Sequence, residues 1–198
     1  SVEMQWNQSI PQQEKGRKFE EKYAQLQYMF VGGDIEKLSE MKADRAKESA
    51  RLKWIAYKDQ FFSTVLIAGD AFESTQMEST PMNALSRHIK EYKTTASLPF
   101  DITGKKNVDL KYYFGPNHYN TLKAYDKDVE KSERLHLNEL VPLGWKIVAW
   151  INKALVIPMF DLFSSWGLHI GIVILLMTLV IKLIILPFVF ASYKSSAK

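Results

Sequence analysis

The chain has 198 residues, no cysteine and a formal net charge of +4. This length allows one sizeable domain with a few additional elements, and the lack of cysteine excludes a disulfide framework and thiolate chemistry. In residues 1–143, 21 Lys and Arg balance 21 Asp and Glu, so the positive excess lies in residues 144–198, where five Lys accompany one Asp. A neutral domain without a basic stripe excludes nucleic acid as a partner.

The N-terminal residues alternate between apolar and polar side chains. Val2, Met4 and Trp6 are separated by polar residues, and the alternation recurs in residues 24–30. A period of two residues predicts strands, and the glycines at 32 and 33 predict a turn. Residues 36–52 are charged and contain Ala, Lys, Glu and Met. We interpret them either as a helix or as a long polar connection.

The most apolar stretch of the domain, residues 54–68, predicts central strands of a sheet. Alternating segments follow at residues 86–96 and 108–114. Many short strands with intervening turn residues favour an antiparallel sandwich, so the predicted fold class is mainly β for residues 1–143. From about residue 117 the pattern predicts a terminal helical segment in two pieces.

Residues 144–166 have the pattern of an amphipathic helix that lies in the membrane interface. One face of this helix is apolar and consists of Ile147, Val148, Ile151, Ala154 and Leu155. Lys146 and Lys153 share the other face, while Trp145 and Trp150 lie near the edges, as is common at headgroup level. We predict that these four residues anchor the helix and that Pro158 breaks or bends it. The alternative is an ordinary amphipathic helix packed on the domain core.

Residues 167–191 predict a transmembrane helix that contains a single charge. The apolar run at 170–191 is long enough to cross a hydrocarbon core of about 30 Å, and only Lys182 interrupts it. A charge at that depth costs roughly 2.5 to 3.5 kcal/mol on insertion scales. We therefore expect Lys182 to face a polar groove. The alternative is that its ammonium group snorkels to the headgroups.

Two neighbours of Lys182 fit such a groove. Pro187 cannot donate a backbone hydrogen bond to Leu183, which favours a kink and leaves a carbonyl that needs another partner. Thr178 precedes Lys182 by one turn on the same face of the helix. Its hydroxyl group either lines the groove or bonds back to its own helix.

The charges around the span predict its orientation. Lys194 and Lys198 follow the span, whereas Asp161 and His169 precede it without a neighbouring Lys or Arg. The positive-inside tendency then predicts a cytoplasmic C-terminus and a periplasmic domain at a bacterial inner membrane. Residues 1–10 do not resemble a signal peptide, so we expect an anchor or signal upstream of Ser1 and hence a longer protein.

No residue set in the sequence supports an enzyme. The four histidines lack partners at metal-ligand spacing; they are His88, His118, His136 and His169. Asp126, Asp128 and Glu130 resemble a cation loop but lack its glycine and its terminal glutamate. Phosphate-loop and nucleophile motifs are also missing from the sequence. The prediction is a protein without catalytic residues, metal or cofactor.

Several passages resemble one family of membrane proteins, the YidC, Oxa and Albino insertases. They are residues 53–67, the turn at 113–117, Leu143-Gly-Trp-Lys, Ser165-Trp-Gly-Leu, and the segment from Leu186-Pro-Phe to Ser192-Tyr-Lys-Ser-Ser-Ala-Lys. Together they extend over most of the chain from about Tyr23 onward. The order of parts is similar to the second half of the large periplasmic domain, the interfacial helix and the second transmembrane helix of the YidC type.

The resemblance implies a β-supersandwich periplasmic domain and an insertase or chaperone of the inner membrane. It places Lys182 where the family usually has arginine, so charge is kept but bidentate binding of carboxylates is lost. Residues 192–198, with Tyr193, Lys194 and Lys198, correspond to the start of a cytoplasmic hairpin, which further spans follow. The implied partners are nascent membrane proteins, the Sec translocon, membrane lipids and, through cytoplasmic parts beyond Lys198, the ribosome.

A second interpretation is a membrane-anchored periplasmic module that binds carbohydrate or polypeptide. Aromatic side chains can stack on such ligands, and the candidates are Trp54, Tyr112 and Tyr113. Packing in the core is the other role open to these three residues, and fold alone does not fix function. Binding of glycans or of unfolded polypeptides would distinguish the module from the insertase.

Overall fold

The computed structural model describes residues 1–101, 103 and 107–196, and only the backbone at 146, 147, 195 and 196. The chain divides into two compact units, Ser1–Val141 and the part that begins at Pro142. We call the first unit the β domain and the second the membrane segment.

The β domain is a sandwich of two antiparallel sheets. Its strands are β1 (Val2–Pro11), β2 (Gln25–Phe30), β3 (Ile35–Lys37), β4 (Asp44–Glu48), β5 (Leu52–Lys58), β6 (Phe62–Phe72), β7 (Ser74–Pro81), β8 (His88–Leu98) and β9 (Leu110–Pro116). Helix α1 (Arg17–Tyr23) lies between β1 and β2. In the described part of the chain, one sheet has the order β1-β8-β7-β4 and the other β3-β2-β5-β6-β9. The predicted mainly β, antiparallel fold is confirmed.

Apolar side chains from both sheets fill the space between them. Tyr57 and Tyr92 are 1% and 0% exposed, and the ring of Trp6 stacks on Tyr57 with centroids 3.7 Å apart. The hydroxyl of Tyr57 lies 2.7 Å from Oγ1 of Thr94, so its polar end has a hydrogen-bond partner. Because a shift of one residue would turn these side chains outward, the core fixes the register of the strands.

The outer face of the five-stranded sheet is partly covered by the end of the β domain. This end consists of α2 (Tyr119–Lys123) and of 3₁₀ turns at Ala124–Asp126, Lys131–Glu133 and Leu137–Leu140. Leu122, Leu137 and Leu140 are buried there against Trp54. Nε1 of Trp54 donates a hydrogen bond to the carbonyl of Leu135 at 2.7 Å. We call this end of the β domain, residues 119–140, the covering segment, and the bond ties it to β5.

Residues 36–52 differ from both predictions made for them, because they contain most of β3 and all of β4. Strand β4 lies at an edge of its sheet, and its charged side chains Arg45 and Lys47 are exposed. Charged residues are common on edge strands, where they discourage pairing with other chains. The helical composition of this segment is therefore overridden by pairing with β7.

Two further differences concern β7 and the end of the domain. The sequence gives no signal for β7, since its inward side chains Thr75 and Ser79 are polar although they are buried. The region from 118 to 137 has one short α-helix and 3₁₀ turns instead of two helical pieces. The turn at Gly33 is confirmed, with a φ of +96° that favours glycine.

Between β6 and β7, the chain crosses from one sheet to the other through a single residue. Strand β6 ends at Phe72 in the five-stranded sheet, and β7 begins at Ser74 in the four-stranded sheet. Only Glu73 lies between them, and its amide donates to the carbonyl of Ser97 at 2.9 Å. The two layers are therefore joined covalently as well as by their core.

The membrane segment consists of helices. They are α3 (Lys146–Ile151), a π-helical part (Asn152–Val156), α4 (Ile157–Ser165) and α5 (Ile170–Ser196). Pro158 has no amide hydrogen to donate to the carbonyl of Ala154. In the wider π turn before it, the amide of Ile157 donates to the carbonyl of Asn152, five residues back. The irregularity predicted at Pro158 thus takes the form of a π-helical part that precedes it.

Candidate functional site

The site predicted around Lys182 lies in α5. The stretch Ile170–Lys194 is long and apolar enough to cross a membrane. Lys182 lies twelve residues after Ile170 and twelve before Lys194. At roughly 1.5 Å per residue this is about 18 Å from each end, so in an upright helix the backbone of Lys182 lies near the mid-plane of the bilayer. Its side chain is exposed within the described chain.

The neighbours of Lys182 add polar groups to the same part of α5. The hydroxyl of Thr178 donates a hydrogen bond to the carbonyl of Ile174 at 2.8 Å, and its oxygen can still accept one. The helix continues through Pro187 to Ser196. Because proline has no amide hydrogen, the carbonyl of Leu183 lacks its usual helical partner. A cation, a hydroxyl and a carbonyl acceptor thus lie within about two helical turns.

The predicted interfacial anchors lie at the start of α3, within it and in the π-helical part, with Trp145 directly before α3. Trp145 is 88% exposed and Trp150 is 69% exposed, so both rings are free of packing within the described chain. Lys153 is exposed in the π-helical part, whereas the side chain of Lys146 lies outside the described residues.

Aromatic residues flank the transmembrane helix at both ends. Trp166 is 59% exposed and precedes α5, and Tyr193 is 73% exposed near the end of α5 beside Lys194. Such residues are typical of membrane interfaces. The sequence interpretation does not single out Trp166 as an anchor, although an aromatic residue so close to an apolar run is a usable signal. Lys198, assigned to the cytoplasmic start, lies outside the described residues.

A second concave site lies entirely within the β domain. At one end of the five-stranded sheet the covering segment leaves the outer face open, and a groove of about 800 Å³ remains there. Met29, Ile67 and Tyr113 contribute to its floor, and residues around Tyr125 and Arg134 contribute to its wall. We call this site the outer-face groove. Its volume lies within the range of about 300 to 1,000 Å³ that is usual for ligand sites.

The outer-face groove carries more positive than negative charge. Its charged residues are Lys53, Lys111, Arg134, Asp70 and Glu133. The carboxylate of Asp70 forms an ion pair with Arg51 at 2.7 Å. Nζ of Lys53 donates a hydrogen bond to the carbonyl of Gly69 at 2.7 Å. Lys111 is exposed and has no ion pair or hydrogen bond from its side chain to any residue that the structure describes.

The three aromatic candidates for ligand stacking differ in exposure. Trp54 is fully buried, so its assignment to stacking is wrong and its role is in the core. Tyr113 is 8% exposed, and its hydroxyl donates to the carbonyl of Pro116 at 2.8 Å. Tyr112 is 59% exposed, but its ring lies on the opposite face of the sheet from Tyr113, where it meets the ring of Trp6 edge to face at 6.0 Å. Of the three, Tyr112 presents the largest accessible surface.

The described residues contain no group of three or more His, Cys, Asp or Glu side chains placed to hold a metal ion. Asp126, considered above as part of a cation loop, instead accepts hydrogen bonds from the amides of Leu135 and His136 at 2.6 and 2.9 Å. Its carboxylate therefore supports the covering segment of the β domain.

Comparison with known proteins adds to this geometry. Residues 1–158 match the family described as the YidC periplasmic domain. A protein from Parabacteroides distasonis, named membrane protein insertase YidC, is 48% identical over 198 residues, which are all of this chain and 31% of that protein. Proteins of the same name from Bacteroides fragilis and Porphyromonas gingivalis are 46% and 36% identical, over 100% and 99% of this chain and 32% and 31% of their own lengths.

These matches show what part of the relatives the chain spans and where its β domain lies in the cell. The chain spans about a third of the length of the curated relatives it matches. The periplasmic location predicted for the β domain is confirmed by the family match. Together with the apolar helix α5, the match also confirms the predicted location at the bacterial inner membrane.

Proposed function

This chain belongs to the YidC family of membrane protein insertases, and from that membership we propose that it is part of an insertase for nascent membrane proteins. The relatives of this name share the whole length of the chain. The single observation that carries the mechanism is the place of Lys182, midway between the ends of an apolar helix long enough to span the membrane. We propose that this lysine belongs to a hydrophilic groove.

The groove would act through the free energy of solvation. Moving a polar or acidic segment of a client through hydrocarbon costs several kcal/mol or more, because its hydrogen bonds to water are lost. A cation in a wet cavity attracts carboxylates and lowers that cost. Lys182 supplies a point charge with three donors, so the attraction depends on charge more than on a fixed geometry. The hydroxyl of Thr178 and the carbonyl of Leu183, which has no amide donor at Pro187, extend the polar lining.

The remaining parts have supporting roles in this proposal. Trp145, Lys146, Trp150 and Lys153 hold the helices before α5 at the periplasmic interface, and Tyr193, Lys194 and Lys198 begin a cytoplasmic segment. Positive residues on that side fit the usual orientation of membrane proteins. Membrane lipids, the Sec translocon and, through further cytoplasmic parts, the ribosome are the proposed partners. We infer no bond-breaking chemistry and no cofactor.

Replacing Lys182 in the full-length protein tests the groove. We expect Lys182→Arg to retain insertion of a client with an acidic translocated segment, because the charge is kept. Lys182→Ala and Lys182→Glu are expected to slow it by about tenfold, which corresponds to ~1.4 kcal/mol in the barrier. Insertion is measured by protease protection of the client in reconstituted vesicles.

Leu183→Ala is the matched control, since it shortens an adjacent side chain that is 60% exposed without changing charge. Equal insertion by the Arg, Ala and Glu variants would remove Lys182 from the mechanism. The chain has no cysteine, so a single spin label at position 182 can report its surroundings directly. An environment of acyl chains without water at that label would contradict the groove.

A further inference from the structure

We propose that the outer-face groove of the β domain binds an extended, acidic segment of polypeptide. The identity of this partner as a translocated client segment rests on the proposed function, whereas the binding itself rests on the groove. The groove lies on the outer face of the five-stranded sheet, away from the core between the sheets. It is therefore open to a ligand without any change in the sandwich.

The first observation is charge. Lys53, Lys111 and Arg134 outnumber Asp70 and Glu133 among the lining residues. Asp70 is already paired with Arg51. Of the three guanidinium nitrogens of Arg134, only Nε has a hydrogen bond to a residue that the structure describes, the carbonyl of Val129 at 3.3 Å. The ammonium group of Lys111 has no partner among the described residues. A partner with complementary charge would therefore carry carboxylate groups.

The second observation is the apolar and aromatic surface beside these cations. Tyr125 and Val31 line the groove and are 44% and 46% exposed. The ring of Tyr125 meets the ring of Tyr113 edge to face at 5.7 Å, which holds it in place. Rigid tyrosines give contact area at low cost in conformational entropy. A segment that alternates acidic and apolar residues matches both kinds of surface.

The third observation is shape. The wall formed by residues 125–135 is fixed to the sheet, because Nε1 of Trp54 donates to the carbonyl of Leu135. The carboxylate of Asp126 braces the wall itself by accepting from the amides of Leu135 and His136. A preformed groove reduces the cost of ordering on binding. An extended chain fits such an open groove, whereas a folded partner would contact only its rim. The observations favour an unfolded segment over a globular partner.

Binding of a defined peptide tests the inference. The probe is a fluorescein-labelled peptide of repeated Glu-Gly-Leu triplets, titrated into the 198-residue chain in lipid nanodiscs and followed by fluorescence anisotropy. We expect saturable binding that weakens with added salt and is not reproduced by the Lys-Gly-Leu peptide. Lys111→Glu and Arg134→Glu should each raise Kd by about fivefold. Tyr125→Ala should raise it as well.

Lys47→Glu is the matched control, because Lys47 is an exposed lysine on β4 in the other sheet, and it should leave Kd unchanged. Thermal unfolding confirms that each variant is folded. Equal binding of the two peptides, unchanged Kd in the groove variants, or no binding of either peptide would overturn the inference. So would maltooligosaccharide binding that depends on Tyr125 while the acidic peptide fails. If the Lys182 series behaves as expected in that case, the proposed function stands without this site.

Discussion

At the scale of single residues, the most unusual feature of the β domain is a pair of buried lysines. Lys58 and Lys90 are each 1% exposed. Nζ of Lys58 donates to the carbonyl of Tyr23 at 3.1 Å, and Nζ of Lys90 donates to the carbonyls of Ala24 and Glu40. Burial lowers the pKa of both ammonium groups from 10.5 to about 8. The two side chains thus converge on the end of α1 from different sheets.

This pair predicts how stability depends on pH. Between about pH 8 and 10.5 the unfolded chain binds more protons at Lys58 and Lys90 than the folded chain, so the free energy of unfolding rises with pH. Burial raises the pKa of Tyr57 and Tyr92 above 10.0, so their contribution is present below pH 10 and is lost above it. We expect maximal stability near pH 10 in urea unfolding followed by circular dichroism.

Lys90→Met should flatten the rise above pH 8, because one of the two titrating groups is removed. Lys93→Met on the same strand is the control, since Lys93 is exposed and pairs with Glu91 at 3.2 Å. A stability that falls steadily from pH 8 to 10 in the unmodified chain would contradict the interpretation of these buried ammonium groups.

At the scale of elements, the π-helical part before Pro158 determines how α3 and α4 are rotated relative to each other. A π turn holds more residues than an α turn, so side chains after it are displaced around the helix axis. We expect Pro158→Ala to allow a continuous α-helix through Asn152–Val156, because the carbonyl of Ala154 regains an amide donor. The rotation is about 100°, one residue of an α-helix.

Spin labels at positions 150 and 162, introduced as cysteines into the cysteine-free chain, can measure this change. Their distance should change in the Pro158→Ala variant and remain constant in Met159→Ala, which keeps the proline. An unchanged distance after removal of Pro158 would show that packing within the membrane segment, and not the proline, holds the π turn open.

At the scale of the whole molecule, the chain consists of two units that adjoin at Val141 and Pro142. Trp145 is 88% exposed and follows Gly144, whose φ of +83° marks a turn in the connection. We expect chymotrypsin to cleave first after Trp145 under native conditions. The released β domain should keep the thermal midpoint of the intact chain to within about 2 °C, because no described residue beyond Val141 belongs to its core. Cleavage first within a β-strand would contradict this division.

The sequence predicts those features whose signals are local. Alternation reveals β1 and β2, and hydropathy reveals α5 with its lysine, since neither signal depends on distant contacts. Strand β4 is hidden because its charged residues suit a helix equally well until β7 pairs with it. The outer-face groove cannot be predicted, since Lys53, Lys111 and Arg134 are brought together only by the sheet order and by the covering segment.

The single-residue passage at Glu73 has a mechanical consequence. Because β6 and β7 run on into each other, sliding of one layer over the other would pull directly on the ladders of both sheets. A force applied from the C-terminal side would act first on the covering segment and on β9, which lies at the edge of its sheet. The passage at Glu73 would still hold the two layers together once β9 had separated.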